Sequence, residues 1–316
     1  MSRFMIFALS IILLCCSTAT VKSQVFEKTP KLHGDVVVFP ISLVDAYPFI
    51  SGTVNGEKGK FMFDTGFGAS IFLNDNLLSL NDKKAKGNGV TGSGQSFKTS
   101  VNDTIREMAF TNGLTYRNLE KIESGNFDFI QKYITADFLG FMGYKFFEEY
   151  LFKIDYVHRK ITFYRNSSER DISKDFLANE KVLTVIDLGI RKIENIPYVN
   201  LKIDGIDILG VFDTGQNGFL QLSSSAAKVL ETKGYVVISG VNSSGDTLLN
   251  VKDIIMDGKF KTSLKGVEFS TFEDTQDVRK KIGITEPNLM SIGYRFLSEY
   301  KTVWDYEKRK IYILEY

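Results

Sequence analysis

Asp64 and Asp213 are the residues of this 316-residue chain whose setting suggests a chemistry. Each opens an Asp-Thr-Gly triplet, each follows a Phe, and they stand 149 positions apart. Two carboxyl groups held about 3 Å apart cannot both ionise cheaply, so they share one proton. Such a pair titrates as a unit. At mildly acidic to neutral pH one group is a base and its partner an acid. A water between them can lose a proton to one while the other protonates a carbonyl oxygen under attack. The result is a tetrahedral intermediate that needs no covalent adduct, metal or cofactor. In this scheme Thr65 and Thr214 brace the two turns by hydrogen bonds across a local two-fold. Gly66 and Gly215 allow the close backbone approach.

The elements that must deliver these residues are short strands. Phe61-Met62-Phe63 and Leu209-Gly210-Val211-Phe212 are apolar runs closed by a tight turn, the pattern of a buried strand. Upstream of each lies a hairpin signal, Asn55-Gly56 and Asp204-Gly205. Pro48-Phe49-Ile50 returns as Pro197-Tyr198-Val199 at the same offset. Gly143-Tyr144-Lys145-Phe146-Phe147 returns as Gly293-Tyr294-Arg295-Phe296-Leu297, and Ile154-Asp155-Tyr156 as Trp304-Asp305-Tyr306, at an offset of 150. A near-constant offset across separate blocks argues for duplication. One Asp-Thr-Gly arises by chance in roughly one chain in twenty of this length, and two in on the order of one in a few hundred. A strand-end turn with locally satisfied side chains explains one copy, but not the matched position of two.

The organisation expected is an export signal over 1–23, a β-rich lobe over 24–165, a polar linker over 166–181 and a second lobe over 182–316. Arg3, the apolar run Phe4 to Cys16 and Val21-Lys22-Ser23 fit a signal with cleavage before Gln24. The protein is then exported, periplasmic or secreted. Lipid attachment at Cys16 is the lesser alternative, because Leu13-Leu14-Cys15 lacks small residues. Cys15 and Cys16 are the only cysteines, so the mature chain has no thiol or disulfide chemistry. The net charge of +1 gives no case for nucleic acid. No transmembrane helix is expected in the mature chain, and a monomer is.

The chain resembles the aspartic peptidases, pepsin-like in its two lobes on one chain and retropepsin-like in their shortness. The likeness covers nearly all of the mature chain. It rests on both Phe-Asp-Thr-Gly motifs, on Phe141-Met142-Gly143 and Ser291-Ile292-Gly293, which resemble the family's hydrophobic-hydrophobic-Gly signature, and on the closing segment 293–313. The resemblance implies an all-β fold with few short helices, two barrel-like lobes related by a pseudo-two-fold and a cleft between them. It also implies a catalytic dyad of Asp64 and Asp213, peptide or protein substrates, and a flap at Val90, Thr91, Gly92, Ser93 and Gly94. Short spacing before Asp64 leaves little room for a pepsin-type propeptide. The chain departs from the family in three ways. Phe67 and Gln216 follow the triplets where many members carry Ser, Thr or Ala. No Tyr lies between 87 and 100, and Lys145 and Arg295 replace a frequent Asp. These departures motivate a second reading, a two-lobed protein that captures extended peptides without cleaving them.

Other chemistries have thinner support. His33 and His158 are the only histidines, and neither sits in a metal-ligand or Ser-His-Asp pattern. The Gly-rich stretches near Gly92 and Gly245 lack phosphate-loop spacing. Glu148-Glu149 reads as a solvated helix face, and the aromatic run from Phe127 to Tyr150 as core. Asn102, Asn166 and Asn242 begin glycosylation sequons. Nothing marks a sugar-processing carboxylate pair.

Overall fold

The computed structural model describes residues 29–81, 83–91, 95–103, 105–271, 276 and 279–316. The export signal expected over 1–23 and the hairpin-tip residues Gly92, Ser93 and Gly94 lie outside the described residues. Strands dominate and helices are few and short, in two similar β lobes. No helix among the described residues is long and apolar enough to cross a membrane.

Both lobes are built on one unit. It begins with a hairpin, Tyr47–Val54 with Glu57–Phe63 in the first lobe and Tyr198–Ile203 with Ile206–Phe212 in the second. The hairpins turn on Asn55 and Gly56 at φ +50° and +90°, and on Asp204 and Gly205 at +48° and +80°. Positive φ at both central residues is what Asn-Gly and Asp-Gly tolerate best. The second strand of each hairpin then runs parallel to a strand from the far end of its lobe. Phe138–Met142 lies beside Glu57–Phe63, and Leu289–Ile292 beside Ile206–Phe212. A short antiparallel strand, Ile71–Asn74 or Phe219–Gln221, flanks the far side of that crossing strand. Every residue of both crossing strands is buried, as expected of strands covered on both faces. The first lobe extends the unit to a ten-stranded sheet and the second to a seven-stranded one. In the latter, Tyr198–Ile203 also pairs with Thr247–Met256.

A third sheet belongs to both halves. Its order is Val36–Pro40, Lys160–Arg165, Tyr150–Asp155, Lys301–Asp305, Lys310–Leu314, Val182–Asp187. At its centre Phe152 pairs with Trp304, Lys153 with Val303 and Ile154 with Thr302. Lys153 and Val303 are equivalent positions of the repeat, so the pseudo-two-fold passes through this pair. Above it Phe152 stacks on Trp304 with ring centroids 5.3 Å apart. Phe152 also meets Phe63 at 5.3 Å, and Trp304 meets Phe212 at 5.4 Å. The residue before the Asp of each Asp-Thr-Gly turn is therefore seated on the shared sheet.

The polar run 166–181, read from sequence as a linker, is folded. It forms a helix at Ser168–Ser173, capped by the Ser167 hydroxyl, and a 3-10 turn at Asp175–Leu177. Arg170 is buried there and pairs with Asp35 and Asp175. Phe176 packs on Leu151, Val303, Tyr312 and Leu314. Glu180 accepts from Lys153 at 2.8 Å and Lys301 at 2.7 Å. This segment covers the outer face of the shared sheet and neutralises its axial lysine. Composition hid it because its contacts are made by a few residues among many exposed ones.

The shared sheet predicts joint unfolding of the two halves. Phe152→Ala leaves a cavity at the axis and should cost about 3–5 kcal/mol. Urea melts followed by the fluorescence of Trp304, the single tryptophan, should show one transition at a lower midpoint. Two separated transitions would contradict a common core.

Candidate active site

Each Asp-Thr-Gly turn leaves the end of its buried strand at a fixed point. Asp64 N donates to Met142 O at 3.0 Å and Asp213 N to Ile292 O at 3.1 Å. The crossing strand thus holds the first residue of each turn. Thr65 and Thr214 are fully buried and bond reciprocally. Thr65 N donates to Thr214 Oγ1, and Thr214 N to Thr65 Oγ1, both at 3.0 Å. Thr214 Oγ1 donates onward to Phe63 O at 2.9 Å.

This grip brings each Asp against the turn of the other, so that Asp64 and Asp213 lie side by side. Gly66 N donates to Asp213 Oδ1 at 3.2 Å, and Gly215 N to the same oxygen at 2.8 Å. Phe67 N donates to Asp64 Oδ1 at 3.1 Å. The glycines are a steric requirement. A Cβ on Gly66 would lie 2.8 Å from Asp213 Cγ, and one on Gly215 2.5 Å from Asp64 Cγ.

Each carboxyl keeps a partly accessible edge, with protein packed densely around the rest. Burial, then the Asp213 charge and hydrogen bond, push Asp64 well above the usual carboxylate range. Burial pushes Asp213 up as well, but the Gly215 N–H, the bond from Asp64 and the Gly66 N–H pull it back. The Gly66 and Phe67 N–H groups likewise pull Asp64 back, so both carboxyls are raised by burial and the pair titrates as one system. Tyr47 adds a neutral phenol nearby. Burial, then Glu268, Asp45, Asp213 and Asp64, push it up to about 12.

The residues beside the triplets do not supply a hydroxyl to Asp64. The Phe67 ring stacks on Phe141 at 4.7 Å, inside an aromatic cluster of the first lobe. Ser70 is buried and donates to Pro30 O. Val90 and Thr91 lie at the end of the hairpin Lys84–Val90 and Ser96–Asn102, where Thr91 N donates to Gln95 O at 2.9 Å. Phe97 anchors that hairpin on Phe72 and Phe127. Asn195 is the residue that sequence reasoning missed. Buried in the second lobe, it donates from Nδ2 to Thr65 O at 2.9 Å and Gly66 O at 2.8 Å. A lone Asn before Ile196-Pro197 carries no motif, so only the fold reveals it.

Raised carboxyl pKa values make the pair a stability liability at neutral pH. The folded protein binds more protons than the unfolded chain, so stability falls as pH rises above the ordinary value of 3.8. Asp64→Asn removes the conflict. It should raise stability to urea at neutral pH, with the gain shrinking to nothing below that value. A gain that persisted at low pH, or no gain at all, would mean the carboxyls are not coupled.

No family model and no curated protein sequence matches the chain. Among solved structures, the crystal structure of basic 7S globulin from soybean is similar, with a TM-score of 0.53 and 11% identity over 89% of this chain and 95% of that one. At that identity the likeness is one of fold alone, a two-lobed β architecture.

Proposed function

We propose that the chain is an aspartic-type endopeptidase, exported and monomeric, acting on peptides or proteins bound between its lobes. The observation that carries this reading is the Asp64–Asp213 pair, side by side at the junction of two matched turns and both raised by burial. Asp213, held by the Gly66 and Gly215 N–H groups, takes the proton of a water positioned by both carboxyls. Asp64 gives its proton to the carbonyl oxygen as the water oxygen bonds to the carbonyl carbon. As the tetrahedral intermediate collapses, Asp64 takes back a proton from one of the intermediate's hydroxyls to re-form the carbonyl, the C–N bond breaks, and the departing nitrogen takes the proton from Asp213. The domain limits 24–165 and 182–316 belong to this proposal, as does the flap role of Val90 and Thr91.

A second reading keeps the cleft and omits hydrolysis. It is favoured by the Phe67 ring, which lies stacked in the aromatic cluster and leaves Asp64 with backbone donors in place of a hydroxyl. One experiment separates the two. Under the first reading Asp64→Asn and Asp213→Asn each lower kcat for a peptide substrate by about 100-fold or more and leave peptide affinity nearly unchanged. Wild-type turnover in either variant ends the mechanism. Tight peptide binding with no cleavage from acidic to mildly basic pH selects the second reading.

A further inference from the structure

Tyr156 and Tyr306 take no part in the chemistry above. They are repeat equivalents, each directly following a central strand of the shared sheet. They are 3% and 9% exposed, and neither hydroxyl has a well-formed hydrogen bond among the described residues. An unpaired buried hydroxyl is destabilising, and Phe would fill the same space without it. Ser42 has the other unpaired buried hydroxyl among the described residues, but only the two tyrosines occupy the same place in both halves.

Their contacts cross the repeat. Tyr306 of the second half packs on Tyr144 of the first at 4.9 Å, and Tyr156 of the first packs on Tyr294 of the second at 5.5 Å. Tyr144 and Tyr294 hold the catalytic turns. Tyr144 N donates to Phe67 O at 2.8 Å and Tyr294 N to Gln216 O at 2.9 Å. Each turn therefore rests on a tyrosine of its own half, which rests on a tyrosine of the other. The Tyr306 hydroxyl faces the Thr65 side chain without a well-formed bond to it. Thr65 Oγ1 accepts from Thr214 N at 3.0 Å and lies 3.4 Å from Thr214 Oγ1, whose proton goes to Phe63 O. Among the described residues it shows no counterpart of the Thr214 bond to Phe63 O.

We propose that Tyr306 and Tyr156 are positioning residues for the Asp64–Asp213 pair, their hydroxyl dipoles favouring its singly charged state, Tyr306 acting through Thr65. The proposal rests on reading the two Asp residues as a proton-sharing pair. Burial keeps both phenols protonated, and the nearby carboxylates reinforce this. The groups facing Tyr306 are Asp213, Tyr144 and Asp64, and those facing Tyr156 are Tyr316, Asp213 and Tyr294. Tyr144 in turn faces Glu194 and Glu148. Tyr144 and Tyr306 also border an open recess of about 460 Å³ with Glu148, Glu149, Arg165 and Glu307. Glu148 and Glu149 are paired there with Lys31, and Glu149 also with Arg165. Asp213 is the group that the two tyrosines share.

The test is Tyr306→Phe and Tyr156→Phe in the full chain, read by unfolding across pH and by the pH–rate profile. Removing a dipole that favours the charged form raises the pair's folded-state pKa. The pH at which the pair's loss of stability levels off should move up by about half a unit or more, and the acid limb of kcat should move with it. At about pH 3, where folded carboxyls are protonated, each variant should be as stable as the wild type or more so. In an Asp64→Asn background the shift should vanish. A variant that fails to fold, or loses stability equally at all pH, makes the hydroxyl structural and overturns the proposal. So does an unmoved pH dependence. If the wild-type protein cleaves no peptide, the endopeptidase reading fails, while the unfolding data still decide this one.

Discussion

The backbone N–H groups of Thr65 and Thr214 each have one partner, the hydroxyl of the threonine opposite. Both residues are fully buried, and a buried N–H without a partner is costly. Neither half can satisfy its own turn. Bringing the halves together satisfies both donors at once, and the same approach forces Asp64 and Asp213 into contact. The bare backbone at Gly66 and Gly215 makes that approach sterically possible. The shared sheet beneath fixes its direction, because Phe63 and Phe212 seat on Phe152 and Trp304. The site is thus a property of the interface between two halves, with no residue in either lobe able to form it alone.

Symmetry holds where the halves must meet and breaks where only one needs a device. The triplets, crossing strands and tyrosine contacts recur. Asn195 does not, since position 46, its counterpart, is an Ala in a turn at φ +69°. It ties the first turn to the second lobe through two carbonyls. The axis itself must be asymmetric in a single chain, and Lys153 meets Val303 there. One lysine on the outer face then requires an acid, which Glu180 supplies. Unequal donors around the two carboxyls follow the same logic. Asp213 accepts from two glycine N–H groups through one oxygen and Asp64 from the Phe67 N–H, so the near-symmetric carboxyls stand in different donor sets.

Much of this was legible in the sequence because it depends on local rules. Asn55-Gly56 and Asp204-Gly205 dictate their turns through positive φ. Apolar runs ending in Asp-Thr-Gly mark the strands, and the repeat offset marks their equivalence. The carboxyl contact was a prediction from duplication, and the described geometry brings the two groups together. What composition could not convey depends on single contacts between distant segments. The run 166–181 is mostly polar, yet Arg170 and Phe176 bind it to the shared sheet. Ser70, six residues past Asp64, bonds back to Pro30 and not to the site. Asn195 and the unpaired tyrosine hydroxyls carry no pattern at all, because their meaning lies in what surrounds them.

The two carboxyls sit above a fully buried aromatic layer, and the energetic layout explains why. Two buried carboxyls sharing a proton oppose folding at neutral pH, and unpaired phenols beside them add to that cost. Sites of this kind persist where the surroundings over-determine the geometry. Here the surroundings are a continuous aromatic layer, Phe63, Phe147, Phe152, Phe163 and Trp304, all fully buried. Packing of that density cannot relax around one unfavourable group without disturbing its neighbours. The strain therefore stays at the two turns, where a proton can move, and is not dispersed into the lobes. Substitutions that relieve it should therefore stabilise the chain, because the cost is concentrated in a few groups at one interface.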